Sequence, residues 1–155
     1  MAVLNICLEG EKVLKMKAKP VSKVTKEIKK LLEDMAETMY EAQGVGLAAP
    51  QVGLSLRVVV IDAGSGLIEL INPVIIEQEG EETDTEGCLS IPDAYGEVCR
   101  SARVMAEAYD RNGKKIRVTG EGLLARAIQH ELDHLEGVLF IEKAEKLSRG
   151  EGSNA

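Results

Sequence analysis

Apolar residues Ile28, Leu31, Leu32, Met35 and Met39 recur at i, i+3, i+4, i+7 and i+11. That is one stripe of an amphipathic helix spanning about Thr25 to Ala42, and Gly44 and Gly46 are its expected stop. The small residues that follow, Gly44-Val45-Gly46-Leu47-Ala48-Ala49, let backbone come very close to a neighbour. Arg57-Val58-Val59-Val60-Ile61 is short and β-branched, a buried strand. Leu67 to Ile76 offers a further strand, broken at Asn72-Pro73, where proline removes a ladder donor. The acidic stretch Glu77 to Glu86 reads as an exposed turn or edge. Val98 to Tyr109 and Lys115 to Val118 read as two strands joined through Asn112-Gly113, a dipeptide suited to a tight hairpin. Leu123, Leu124, Ala127, Ile128, Leu132 and Leu135 return to helical spacing between Gly122 and Glu136, closed by Gly137. Beyond Lys146 the chain is polar and expected to fray.

No repeat or linker interrupts this order. The pattern predicts an α+β fold, with mostly antiparallel strands around the second helix and an N-terminal amphipathic helix packed on them. At 155 residues there is room for one domain, assigned to 1–147, with a polar tail at 148–155. With one Phe, three Tyr and no Trp, the core is aliphatic. A net charge of −7 argues against DNA or an anionic membrane as the main partner. No stretch approaches the ~20 apolar residues of a membrane span, and the first residues lack the features of a signal peptide. Three cysteines without framework spacing fit a reducing cytoplasm, and Cys7 and Cys99 read as buried structural thiols.

The chemistry concentrates in Gln129-His130-Glu131-Leu132-Asp133-His134, which holds both histidines of the chain. Histidines four apart on a helix sit one turn above each other, so both imidazoles can reach one ion. A bound cation lowers the pKa of coordinated water toward neutrality, and Glu131, beside the first ligand, can take its proton and pass it to a leaving nitrogen. An open tetrahedral site needs a third protein ligand. The protease pattern His-x-x-Gly-x-x-His fails here, because Gly137 matches but Phe140 stands in place of the third histidine. A glutamate about twenty residues downstream would fall in the terminal Glu151 to Ala155, with no helix to carry it. The third ligand must lie upstream, and Cys88, after the flexible Gly87, is the strongest candidate; a buried structural cysteine is the alternative. Thiolate with two imidazoles suits Zn²⁺, Fe²⁺, Co²⁺ or Ni²⁺, and spacing does not choose among them. A closed structural site is a competing reading, which would draw a fourth ligand from Cys7 or Cys99.

Three segments in order resemble the peptide deformylase family: Gly44 to Gln51, Glu86-Gly87-Cys88-Leu89-Ser90, and Gln129 to His134. The likeness extends through Lys19-Pro20-Val21, Ile71-Asn72-Pro73 and Leu139-Phe140, covering roughly residues 10 to 142. It implies an enzyme that removes the formyl group from the N-terminal methionine of nascent polypeptides near the ribosome, with one divalent ion, iron in its native form. It also implies that Cys88, His130 and His134 hold the ion, that Glu131 is the general acid and base, and that Gln51 and the Leu89 N–H bind the oxyanion. Gly44, Val45 and Gly46 would pair with substrate backbone, Arg100 would lie near the substrate, and Leu124 and Ile128 would line the methionine pocket. Asp84, Thr85, Arg126, Ala127 and Glu142 depart from the family's usual residues and put substrate preference in question. Another N-acyl amidase on the same core is the nearest alternative function.

Overall fold

A computed structural model describes residues 2–149. The first apolar stripe folds as α1 (Lys26–Glu41), with Ile28, Leu31, Leu32, Met35 and Met39 all buried. The Thr25 side chain caps it by accepting from the Ile28 N–H. The expected glycine stop is replaced by Gln43, which takes φ +59, while Gln43 and Gly44 N–H groups donate to the Tyr40 and Met39 carbonyls. These are the two bonds of a Schellman motif, so the helix ends without a left-handed glycine.

A five-stranded antiparallel sheet runs in the order β1 (Gly46–Ala48), β2 (Val58–Ile61), β3 (Ile68–Glu79), β6 (Arg103–Tyr109), β7 (Lys115–Glu121). A three-stranded sheet has the order β4 (Glu82–Cys88), β5 (Ile91–Arg100), β8 (Glu145–Arg149). The second helix, α2 (Gly122–Leu135), follows β7 directly. The unbroken apolar run in β2 has a simple cause. Val58 and Val60 pack with Leu31, Leu32, Met35 and Met39 of α1, whereas Val59 and Ile61 pack with Ile128, Leu132 and Leu135 of α2. Side chains alternate across a strand, so a strand covered on both faces is apolar at every position. The fold is therefore α+β, with the large sheet between the two helices.

Several expected boundaries shift. β3 continues through Asn72-Pro73: the pairing register with β6 slips between Ile71 and Val74, and Asn72 takes φ +54. The Asn72 amide is held there by reciprocal hydrogen bonds of 2.8 Å with the Val21 backbone. The proline thus sits in an irregularity, where no ladder donor is needed. Residues 77–85 of the acidic stretch are exposed as expected, whereas Glu86 is buried, and the stretch forms the end of β3 and most of β4 around Gly80. The expected strand from Val98 to Tyr109 is two strands in different sheets. Between them the Gln129 amide replaces a strand partner, accepting from Ser101 N–H and donating to Ser101 C=O, each at 2.9 Å. Residues expected to fray beyond Lys146 form the end of β8 up to Arg149, paired with β5; residues 150–155 lie outside the described residues. Cys99, expected to be buried, is exposed.

Gly137 ends α2 at φ +77, and a Cβ there would lie 2.6 Å from the Lys15 carbonyl oxygen. Both strain and a backbone clash oppose a side chain. Gly137→Ala should lower unfolding stability by more than ~1 kcal/mol, read from the urea midpoint; an unchanged midpoint would show that this turn relaxes freely.

Candidate metal centre

Helix α2 carries His130 and His134 one turn apart, with ring centroids 5.0 Å from each other. Both rings are buried. Cys88 ends β4 at a register slip, where it pairs with Ile91 across the tight turn Leu89-Ser90. The turn brings Cys88 Sγ to 3.3 Å from His134 Nε2. One ligand atom from each of Cys88, His130 and His134 lies within 4.8 Å of the others, and this is the one such His/Cys/acid cluster among the described residues. Donors at metal bond lengths of ~2.0–2.3 Å stand about 3.5 Å apart around a tetrahedral ion. The three groups need only a small contraction to fit one.

The surroundings also fit an ion. His130 Nδ1 lies 2.9 Å from Glu86 Oε1, which leaves its Nε2 for the site. Glu86 is itself clamped by Arg100, which donates from Nε at 2.8 Å and from Nη2 at 2.9 Å. Although burial opposes it, hydrogen bonds from Arg100 and His130 hold the Glu86 carboxyl well below the ordinary carboxylate range. Burial likewise works against charge on His130, yet hydrogen bonds with Cys88 and Glu86 raise it to about 10. Burial, with the nearby charges of His130 and Arg100, pushes His134 well below its usual value.

Glu131 is 4% exposed, and its Oε1 has no hydrogen-bond partner. That oxygen is therefore free to take a hydrogen bond or a proton from a molecule in the groove. Burial raises the Glu131 carboxyl to about 7, with Glu86 and Asp133 adding and His130 and Arg100 opposing. Such a group exchanges protons at neutral pH.

The pair opens on a groove of about 610 Å³ lined by Gly44, Val45, Gly46, Gln51, Leu89 and residues of α2 and the small sheet. Gln51 is fixed at its edge: Oε1 accepts from Ala48 N–H at 3.0 Å, and Nε2 donates to Ser90 Oγ at 3.1 Å and lies 3.5 Å from Cys88 Sγ. The two loop glycines have separate reasons. A Cβ on Gly46 would lie 2.6 Å from Glu131 Oε2, and one on Gly44 would lie 2.7 Å from Leu89 Cδ1. Glu131 occupies the space that a side chain at Gly46 would need.

Three expected substrate contacts sit elsewhere. Arg100 is buried between Glu86 and Asp133, outside the groove lining, bonding Asp133 Oδ2 at 2.6 Å. Leu124 packs on the core beneath the large sheet, and Ile128 is fully buried there. In their place α2 presents Leu123, Arg126 and Ala127 to the groove. These are seven, four and three positions before His130, the residues sharing its helix face. Thr85 lines the groove, whereas the neighbouring Asp84 is not part of it. Glu86, Ser90 and Asp133 lie in the Cys88 and His130 segments, and the sequence does not show their roles because their partners are set by tertiary contacts.

The polypeptide deformylase family model matches residues 3–150. The peptide deformylase of Desulfitobacterium hafniense is 58% identical over 149 residues, covering 96% of this chain and 99% of that one. The crystal structure of peptide deformylase from Thermotoga maritima superposes with a TM-score of 0.91 at 44% identity, covering 94% of this chain and 99% of that one. The crystal structure of the enzyme from Thermus thermophilus gives 0.89 at 48% identity, covering 93% and 87%. With that match over nearly its whole length, and with the thiol and two imidazoles gathered beside a buried carboxyl, the chain belongs to the polypeptide deformylase family.

Proposed function

We propose that this chain hydrolyses the formyl amide at the N-terminal methionine of nascent polypeptides, with Cys88, His130 and His134 holding one divalent ion and the catalytic domain running through β8 to Arg149 rather than ending at residue 147. The observation that carries the reading is the convergence of those three ligand atoms within 4.8 Å at the Glu131 end of the groove. The ion, when bound, supplies a Lewis acid that acidifies water and polarises the formyl carbonyl. Glu131 takes the proton from the attacking water, and the same carboxyl then gives it to the departing amino nitrogen. Gln51 Nε2 and the Leu89 N–H donate to the oxygen on which negative charge grows. The Gly44–Gly46 edge pairs with the extended substrate backbone. Leu123, Ala127 and the methylene stem of Arg126 form the apolar wall for the methionine side chain.

Formate release from formyl-Met-Ala-Ser, measured beside acetyl-Met-Ala-Ser, tests the reading. Turnover of the formyl peptide and none of the acetyl peptide is expected; preference for the larger acyl group would favour a different amidase. Iron is the native ion in this reading, and the compartment is the cytoplasm, where nascent chains leave the ribosome. A ferrous thiolate site oxidises together with its cysteine, so protein purified without oxygen should be the more active, and equal activity after aeration would argue for zinc.

Ion binding should also move protons. The ring of His130, raised to about 10 in the bare site, must give up a proton for Nε2 to ligate. Fewer protons compete as pH rises, so zinc affinity should tighten from pH 6 to pH 8 and uptake should acidify a weakly buffered solution. Binding without proton release would show that His130 and Cys88 are already deprotonated in the ion-free protein and would contradict the expected pH dependence.

A further inference from the structure

Arg126 stands on α2 one turn before His130, and its guanidinium makes three hydrogen bonds across to the small sheet. Nη1 donates to Glu86 Oε2 at 2.7 Å and to the Val98 carbonyl at 2.8 Å, and Nη2 donates to the Glu82 carbonyl at 2.7 Å. Every acceptor belongs to the paired strands β4 and β5. The same seam divides the ligand set, with Cys88 on β4 and both histidines on α2. We propose that Arg126 is a positioning residue for the ion: it clamps the strand that carries Cys88 against the helix that carries His130 and His134, and fixes the Glu86 carboxylate that bonds His130 Nδ1. The inference rests on those three residues being the ligands, and adds a group with no hydrogen bond to any of them.

The bond pattern explains why arginine suits the position. Glu86 Oε2 accepts from Arg100 Nε and Arg126 Nη1, while Oε1 accepts from Arg100 Nη2 and meets His130 Nδ1. Two guanidiniums thus lock the carboxylate in one orientation, and the imidazole plane follows it. Arg126 is 7% exposed and Val98 is fully buried, so an apolar replacement would also take the Arg126 donor from the buried Val98 carbonyl. A lysine keeps charge and stem but offers one rotating nitrogen, which cannot reproduce a planar fork serving three acceptors.

The test compares zinc affinity, by competition with a chelator, in the parent, Arg126→Met, Arg126→Lys and Cys88→Ala, each checked for folding by circular dichroism. A second readout is the downfield ring N–H proton of His130 in the zinc-loaded protein, where only two histidines can contribute. We expect zinc to bind roughly 10–100-fold more weakly to Arg126→Met, less so to Arg126→Lys, with the His130 N–H resonance moved upfield in both. Should the Met variant not fold, the Lys variant carries the comparison. Affinity and resonance matching the parent in the folded Arg126 variants, beside a crippled Cys88→Ala, would overturn the inference alone. Unaltered affinity in Cys88→Ala would overturn the ligand reading and this inference with it.

Discussion

Glu131→Gln should lower kcat for formyl-methionyl peptides by about 10²–10⁴-fold, the range typical for removing a general acid–base group. Glutamine keeps the volume of the side chain but cannot accept and return a proton. KM should stay within a few-fold, because the lost interaction acts in the transition state and not in substrate binding. Ion content should stay at the parent level, since Glu131 is adjacent to the ligand cluster without belonging to it. The fold should tolerate the change, as the substitution removes a buried ionisable carboxyl whose Oε1 has no partner. Steady-state kinetics with metal analysis on the same sample check the first three statements, and circular dichroism checks the fourth. A variant with parental kcat would remove Glu131 from the chemistry, and a metal-free variant would make it a ligand.

The second large effect belongs to Cys88→Ala. Zinc held by four groups gains ~10–16 kcal/mol in all, or about 3 kcal/mol per ligand, so loss of the thiolate should weaken binding by about 100-fold or more. Formate release should fall to background at stoichiometric ion, and the Sγ contact with His134 Nε2 disappears with it. Cys7→Ala and Cys99→Ala serve as controls, and both should bind ion as the parent does. Affinity kept by Cys88→Ala and lost by either control would reassign the sulfur ligand.

The cluster of Cys88, His130 and His134 was legible in the sequence because two of its members are a local property of one helix. His130 and His134 need only a helical pitch to face one point, and with Phe140 in place of a downstream histidine the remaining candidate is the upstream Cys88. The sheet-and-helix order was likewise written in short periodicities, as in β2 and α1. What stayed hidden depends on partners distant in the chain. Nothing near Ser101 announces a strand break, because the break is made by Gln129, 28 residues away. Arg100 was expected near the substrate only from the family resemblance, and the sequence could not show that Glu86 and Asp133 surround it. Leu124 and Ile128 were apolar and close to the motif, but lie on the face of α2 that meets the sheet. The final strand β8 is polar, and its register is supplied by β5.

The most direct test of the central claim is X-ray absorption at the metal edge of zinc-loaded protein. A first shell with one sulfur at ~2.3 Å and two imidazole nitrogens at ~2.0–2.1 Å, its sulfur absent from Cys88→Ala, is the expected result. A shell of nitrogen and oxygen alone in the parent would contradict it.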